Sequence, residues 1–176
     1  YHIGEILKLP YLNVQAIKDR NFKVVADCIN STGSLILPKL FDALNCSYVL
    51  INDELTGEFA HNPEPVPDNL SDLANAVRQQ QADLGIAVDP DVDRLVFVAE
   101  DGSMFGEEYS LVAVADFVLN QKKGNTVSNL SSTRALADLT KKHGGTYHAA
   151  AVGEVNVVSK MKAVNAVIGG EGNGGI

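Results

Sequence analysis

Cysteine is nearly absent from this chain of 176 residues, which carries only Cys28 and Cys46. Two are too few for a disulfide scaffold, and buried reduced thiols in a cytosolic protein are the reading they support. Positive charge is also scarce: 14 Lys and Arg stand against 22 Asp and Glu, a net charge of −8. Nucleic-acid affinity rests on clustered basic side chains, so this balance argues against a phosphate-backbone binder. No apolar stretch approaches the roughly 20 residues of a membrane-spanning helix. The opening Tyr1-His2-Ile3-Gly4-Glu5 has no basic-then-apolar signal pattern. The expectation is a cytoplasmic protein with neither nucleic acid nor membrane as partner. Hydrophobic residues make up 45% of the chain, enough to bury a core.

The residues are unevenly spread. All 6 prolines lie at or before Pro90, and most glycines lie from Gly106 onward. The acidic excess is confined to the part before Gly106, and the remainder is close to neutral. Such asymmetry implies two units with separate roles. The expected boundary is the turn Glu100-Asp101-Gly102-Ser103, giving domains over 1–104 and 105–176.

Both parts read as alternating strands and helices. Strands are expected at Lys23–Ile29, Tyr48–Ile51, Ala82–Val88 and Leu95–Ala99, with a helix from Leu35 to Leu44 in which Pro38 is tolerable only near the first turn. Leu70, Leu73, Ala74 and Val77 fall on one helical face, with Asp68 as N-cap. Further on, Leu111, Val114, Ala115, Val118 and Leu119 form a helical stripe, and Thr126–Leu130 reads as a strand. Ser131 is placed to cap a helix running to His143, closed by Gly144. An extended Thr146–Val152, a helix over Glu154–Lys162 and a strand over Ala166–Gly169 complete the pattern. The alternation implies α/β units with mainly parallel pairing.

The sharpest local feature is Asp89-Pro90-Asp91-Val92-Asp93-Arg94, set between two apolar runs. Three aspartates at alternate positions in a tight loop can turn their oxygens to one point, and their mutual repulsion calls for a hard divalent cation. Arg94 is then free to pair with an aspartate or to hold a phosphate on the open side. An EF-hand loop fits the spacing, with Glu100 at position 12, but Arg94 stands where glycine is needed and a β-rich run follows. A phosphate-accepting D-x-D-x-T aspartate lacks its threonine. A solvated acidic turn is the remaining reading, and it leaves the carboxylates uncompensated.

The chain closes on Ile168-Gly169-Gly170-Glu171-Gly172-Asn173-Gly174-Gly175-Ile176. Gly170, Gly172 and Gly175 satisfy G-x-G-x-x-G, but Glu171 within the loop would repel a pyrophosphate. A flexible backbone exposing Glu171 and Asn173 suits sugar hydroxyls, and a plain flexible turn is the blander reading. His61-Asn62-Pro63-Glu64-Pro65 reads as a rigid connector. Glu154 opens a helix, where a carboxylate favours the positive end of the dipole. Ser131-Ser132-Thr133-Arg134 suits either an anion or helix capping. There is no Ser/His/Asp or Cys/His arrangement and no zinc spacing.

Together these motifs resemble the α-D-phosphohexomutase superfamily of phosphoglucomutases, phosphomannomutases and phosphoglucosamine mutases. The loop Asp89–Arg94 resembles its magnesium loop, D-G-D-G-D-R or D-P-D-x-D-R. Gly170–Gly175 resembles its sugar loop in the form G-E-G-N-G-G. Asp27–Gly33, Asn62–Pro65 and Val152-Gly153-Glu154 are also similar, in matching order along nearly the whole chain. The resemblance implies two consecutive mixed-sheet α/β domains: a metal-binding domain over 1–104 and a sugar-binding domain, incomplete, over 105–176. They would be the second and third of four domains around a central cleft.

The resemblance also implies roles. Asp89, Asp91 and Asp93 would bind Mg²⁺, with a fourth ligand from a phosphoserine in a flanking domain. Arg94 would serve catalysis as partner of the transferring phosphate. Glu171 and Asn173 would contact the hydroxyls of a hexose phosphate, with Glu154 beside them. Gly175 and Glu154 stand where some phosphomannomutases have histidine, which leaves the sugar open. The activity implied is interconversion of hexose 1- and 6-phosphates through a bisphosphorylated sugar. No serine loop of the T-A-S-H-N-P type occurs in these residues, so the partners expected are the missing flanking domains of the same polypeptide, and the fragment alone is expected to be inactive. The alternative is a non-catalytic protein that binds a divalent metal or a sugar phosphate.

Overall fold

The computed structural model describes residues 1–176. The chain divides into two compact units, Tyr1–Phe105 and Gly106–Ile176. No helix is long and apolar enough to cross a membrane.

Unit 1 runs α1 (His2–Ile6), α2 (Val14–Arg20), β1 (Lys23–Asp27), α3 (Gly33–Ala43), β2 (Ser47–Ile51), a 3₁₀ turn at Pro67–Asn69, α4 (Ser71–Gln80), β3 (Leu84–Val88) and β4 (Leu95–Ala99). Its sheet has the order β2-β1-β3-β4. The first three strands are parallel and β4 returns antiparallel to β3, so the sheet is mixed. Successive side chains of β1 point to opposite faces. Val25 joins Leu73, Val77, Val96 and Val98 under α4, while Val24 and Ala26 join Leu37, Phe41 and Val88 under α3. Burial on both faces explains why β1 reads as a continuous apolar run rather than an alternating one. Fully burying a side chain such as Leu73 stabilises by about 2 kcal/mol, and the four residues of the Leu70–Val77 stripe are all buried.

Unit 2 runs α5 (Glu107–Gln121), β5 (Asn125–Asn129), α6 (Ala135–Lys142), β6 (Tyr147–Ala150), α7 (Glu154–Val164) and β7 (Ala166–Gly170). Its sheet, β6-β5-β7, is parallel throughout. Leu111, Ala115, Val118, Leu136 and Ile168 pack on one face, and Val127, Ala150 and Val157 on the other. Two buried hydroxyls satisfy each other there: Thr126 Oγ1 and Thr140 Oγ1 lie 2.6 Å apart, and Thr140 donates onward to the Leu136 carbonyl.

Local expectations differ from the structure at four places. Helices α1 and α2 have no strong apolar stripe and escape a periodicity search; Asn13 nonetheless caps α2 by accepting from the Ala16 N–H. Helix α3 starts at Gly33, so Pro38 lies inside it rather than in its first turn. Asp68 sits in the 3₁₀ turn, and α4 begins after Leu70 without a side-chain cap. Ser131 does not cap α6, because its hydroxyl is drawn to Asn129 Oδ1 at 3.1 Å.

Candidate functional site

The loop between β3 and β4 gathers its three carboxylates. One oxygen each from Asp89, Asp91 and Asp93 lies within 4.8 Å of the others. Asp89 is buried at the end of β3, whereas Asp91 and Asp93 are exposed. Asp89 organises the turn: its Oδ1 accepts the backbone N–H of Asp93 at 3.0 Å and of Arg94 at 3.1 Å. The Val92 N–H closes the turn onto the Asp89 carbonyl at 3.1 Å. That closure forces Val92 to φ +62°, a left-handed conformation that a β-branched residue adopts only at a cost of about 1–3 kcal/mol. Val92 stands between Asp91 and Asp93, whose carboxylates lie on the same side of the turn as that of Asp89.

An all-carboxylate donor set is the chemistry of a hard cation. Octahedral Mg²⁺ with ligands at about 2.1 Å spans about 4.2 Å between opposite oxygens, and Ca²⁺ somewhat more. Neighbouring oxygens on such an ion lie only about 3.0 Å apart, so the carboxylates would have to draw together to ligate it, which the exposed Asp91 and Asp93 side chains can do by rotating; the donor set suits a divalent ion. A hydrogen bond shared with Asp89, partial burial, and the charges of Asp89 and Asp91 push the Asp93 carboxyl up to about 6, against the lowering pull of Arg94. Arg94 turns its Nε edge inward, 3.3 Å from Asp89 Oδ2 and 3.8 Å from Asp93 Oδ1. Its ion pairs use that edge alone, which leaves the two terminal nitrogens for an anion.

A second wall stands next to this loop. Asn62, Pro63, Glu64, Asp89, Pro90 and Arg94 line an open cavity of about 360 Å³. The wall is anchored by His61, whose Nε2 lies 3.0 Å from Oδ2 of the buried Asp27 at the end of β1. The other Asp27 oxygen accepts the Ile29 N–H and the Asn52 side-chain amide, both at 3.0 Å. Asp27 thus ties the turn after β1, the segment after β2 and the Asn62–Glu64 wall together. Sequence reasoning read His61–Pro65 as a connector and gave Asp27 no role. The available signal was an aspartate ending an otherwise apolar strand.

In unit 2 the glycine loop leaves the C-terminal end of β7, where ligands of parallel sheets bind. Glu171 is held firmly: Oε1 accepts from Asn129 Nδ2 at 2.6 Å and from the Gly153 N–H at 2.7 Å. Its Oε2 has only a long contact, 3.5 Å, to Asn173 Nδ2. One carboxylate oxygen is therefore fixed by the protein and the other is left to accept from a ligand hydroxyl. Asn129 is buried and itself accepts from Ser131 and Ser132. Ser132 Oγ in turn accepts the Gly172 N–H at 2.8 Å. Asn173 Oδ1 takes the Gly175 N–H at 3.1 Å and closes the loop. A side chain at Gly172 would run into the carboxylate of Glu108, which accepts the Thr133 N–H at 2.7 Å.

The structure therefore brings Asp89, Asp91, Asp93 and Arg94 together, and separately Glu171 and Asn173. Glu154 adjoins the second group through its neighbour and makes no hydrogen bond to it. Glu154 is exposed at the start of α7, and it is the preceding Gly153 N–H that reaches Glu171. Asn129 and Glu108 were missed as site residues, since their spacing from the glycine loop carries no local signal. Ser131-Ser132 was noted only as an anion or capping site, and the structure spends both hydroxyls on Asn129.

Comparison with known proteins matches this geometry to one family over almost the whole chain. Residues 2–102 match the family model for the phosphoglucomutase/phosphomannomutase α/β/α domain II, and residues 106–176 match that for domain III. A phosphoglucomutase/phosphomannomutase of Thermococcus kodakarensis is 37% identical over 99% of this chain and 41% of its own length. A phosphoglucosamine/phosphogalactosamine mutase of Sulfurisphaera tokodaii is 33% identical over 95% of this chain and 38% of its own. Among solved structures, a phosphoglucomutase/phosphomannomutase family protein of Burkholderia thailandensis superposes with a TM-score of 0.81 at 30% identity, covering 92% of this chain and 37% of that one. The chain thus spans about two fifths of the length of these relatives. It belongs to the phosphoglucomutase/phosphomannomutase family, in which its two units correspond to domains II and III.

Proposed function

We propose that this chain is the metal-binding and sugar-binding part of a Mg²⁺-dependent phosphohexomutase, an isomerase that interconverts the 1- and 6-phosphates of a hexose such as glucose, mannose or glucosamine. The observation that carries the reading is the convergence of Asp89, Asp91 and Asp93 beside an arginine whose terminal nitrogens are free. Phosphoryl transfer needs in-line positioning and neutralisation of charge on the transferring group. A divalent ion held by Asp89, Asp91 and Asp93 would supply Lewis-acid stabilisation of that charge. Arg94 binds the phosphate oxygens through its terminal nitrogens, with its Nε edge fixed on Asp89. Glu171 accepts from sugar hydroxyls through Oε2 and is held in place by the Asn129 amide and the Gly153 N–H on Oε1. Asn173 offers an amide to the same hydroxyls. Because the bisphosphorylated intermediate presents a phosphate at either end, one hydroxyl-reading loop can serve both orientations of the sugar.

On this reading a phosphoserine in a flanking domain donates and recaptures the phosphate, the protein works in the cytoplasm, and the 176 residues alone do not turn over substrate. The test is an assay of the complete polypeptide on glucose, mannose and glucosamine 1-phosphates. The expected result is mutase activity on at least one, lost on chelation and lost in Asp91→Asn. No activity on any hexose phosphate, with a serine loop present, refutes it.

A further inference from the structure

Two hydroxyls meet on one carbonyl in the carboxylate loop. Ser31 Oγ donates to the Pro90 carbonyl at 2.9 Å and Thr32 Oγ1 donates to the same oxygen at 2.6 Å, across 59 and 58 residues of sequence. Neither hydroxyl is spent locally. Thr32 occupies the N-cap position of α3, where a threonine ordinarily accepts from the first turn, yet it makes no capping bond. The turn comes close enough because residue 33 is glycine. A Cβ there would sit 2.8 Å from the Val88 side chain, at the very end of β3.

We propose that Ser31 and Thr32 are positioning residues that clamp the Pro90 carbonyl and thereby hold Asp91 in register with Asp89 and Asp93 for a divalent cation. The inference rests on the metal reading above. A carbonyl oxygen has two lone pairs, and here each is given a donor. The Pro90 carbonyl and the Asp91 N–H belong to one rigid peptide plane. Fixing that oxygen fixes the direction in which the chain enters Asp91. The inner hydrogen bonds of the loop all run to Asp89 and restrain Val92, Asp93 and Arg94. None restrains the Pro90–Asp91 plane, which precedes a valine held in a left-handed conformation. The two hydroxyls are the restraint on that half of the loop. Hydrogen bonds that orient metal ligands are typically worth 10- to 100-fold in affinity.

The experiment titrates Mn²⁺ into the complete phosphorylated polypeptide, unsubstituted and as Ser31→Ala/Thr32→Val, and follows amide hydrogen exchange of the loop without metal. The expected result is Mn²⁺ affinity about tenfold lower in the double variant. Exchange at Val92, Asp93 and Arg94 rises about tenfold, while the amides of β3 and β4 are unchanged. The conservative exchange Ser31→Thr/Thr32→Ser, which keeps both hydroxyls, restores both readouts. Equal affinity and equal loop exchange overturn the clamp, as does faster exchange spread evenly through the sheet, which marks general destabilisation. Should the double variant not fold, Thr32→Val alone is read in the same way, since Thr32 is exposed. Failure of the complete phosphorylated polypeptide to bind Mn²⁺ overturns the metal reading instead, and loop exchange then decides the clamp by itself.

Discussion

Asp89 and Asp91 have the same side chain and opposite expected effects on stability. Asp89→Ala removes the acceptor of two backbone N–H groups, at 3.0 and 3.1 Å, and one half of the ion pair with Arg94. Hydrogen bonds to a charged acceptor contribute roughly 1.5 kcal/mol each at the low end. The ion pair, with a guanidinium 36% exposed, is discounted for solvent screening to about 0.5 kcal/mol. The expected loss is about 3.5 kcal/mol of unit 1 stability. Asp89→Asn retains an oxygen for both N–H groups and loses mainly the charge, for an expected loss of about 1 kcal/mol. Asp91→Asn, exposed in a cluster of like charges, should leave stability unchanged or slightly raised while weakening Mn²⁺ binding as strongly as either Asp89 change. Urea unfolding followed through the methyl signals of Val96 and Val98, which report on unit 1 alone, measures the first quantity, and calorimetric titration measures the second. An Asp89→Ala variant within about 0.5 kcal/mol of the parent, or an Asp91→Asn variant destabilised as much as Asp89→Ala, refutes the assignment of Asp89 as the buried organiser of the loop.

Three further outcomes are expected. Because Asp93 is pushed up to about 6 from 3.8, the folded chain holds a proton that the unfolded chain has released; its contribution to stability is full below about 4 and is lost as pH rises through 6, and cation binding competes with that proton. Mn²⁺ affinity should therefore climb as pH rises from about 5 to about 7 and level off above that, and a flat titration profile would contradict it. Asn129→Ala should destabilise unit 2 by about 2 kcal/mol by stripping a donor from Glu171 and an acceptor from two serines. Asn129→Asp should be worse, since it sets a second carboxylate against Glu171, and melting curves rank the two. Burial, with Asp27 and Asp53 nearby, pushes the Cys28 thiol up to about 12, whereas Cys46 is raised by burial alone and is partly exposed. In the native state one thiol should react with an alkylating reagent, and peptide mapping should place the label on Cys46.

Which features were legible from the residues follows the range of the interactions involved. The strands and the Leu70–Val77 and Leu111–Leu119 faces were readable because burial imposes a local period on the sequence. The carboxylate loop was readable because its three aspartates lie within five consecutive positions, so their convergence is a property of one turn. The glycine loop was readable for the same reason. Helix boundaries were less so: Asp68 and Ser131 are good caps by composition, but Ser131 is drawn to Asn129 and the 3₁₀ turn places Asp68 ahead of α4. Here a tertiary or neighbouring partner outweighs a local preference worth about 1 kcal/mol.

The amino-acid sequence by itself determined the two α/β units, the three clustered aspartates with Arg94, and the glycine loop that carries Glu171 and Asn173. Only the tertiary structure decided what holds them. Asp27 reaches His61 across 34 positions, Glu171 reaches Asn129 across 42, and Ser31 and Thr32 reach Pro90 across nearly 60. Each such contact joins the ends of different strands and the turns that follow them. Parallel strands bring their C-terminal ends to one edge of a sheet whatever the length of chain between them. The chemistry is written in short runs of residues, and its support is assembled by strand order, which no short run contains.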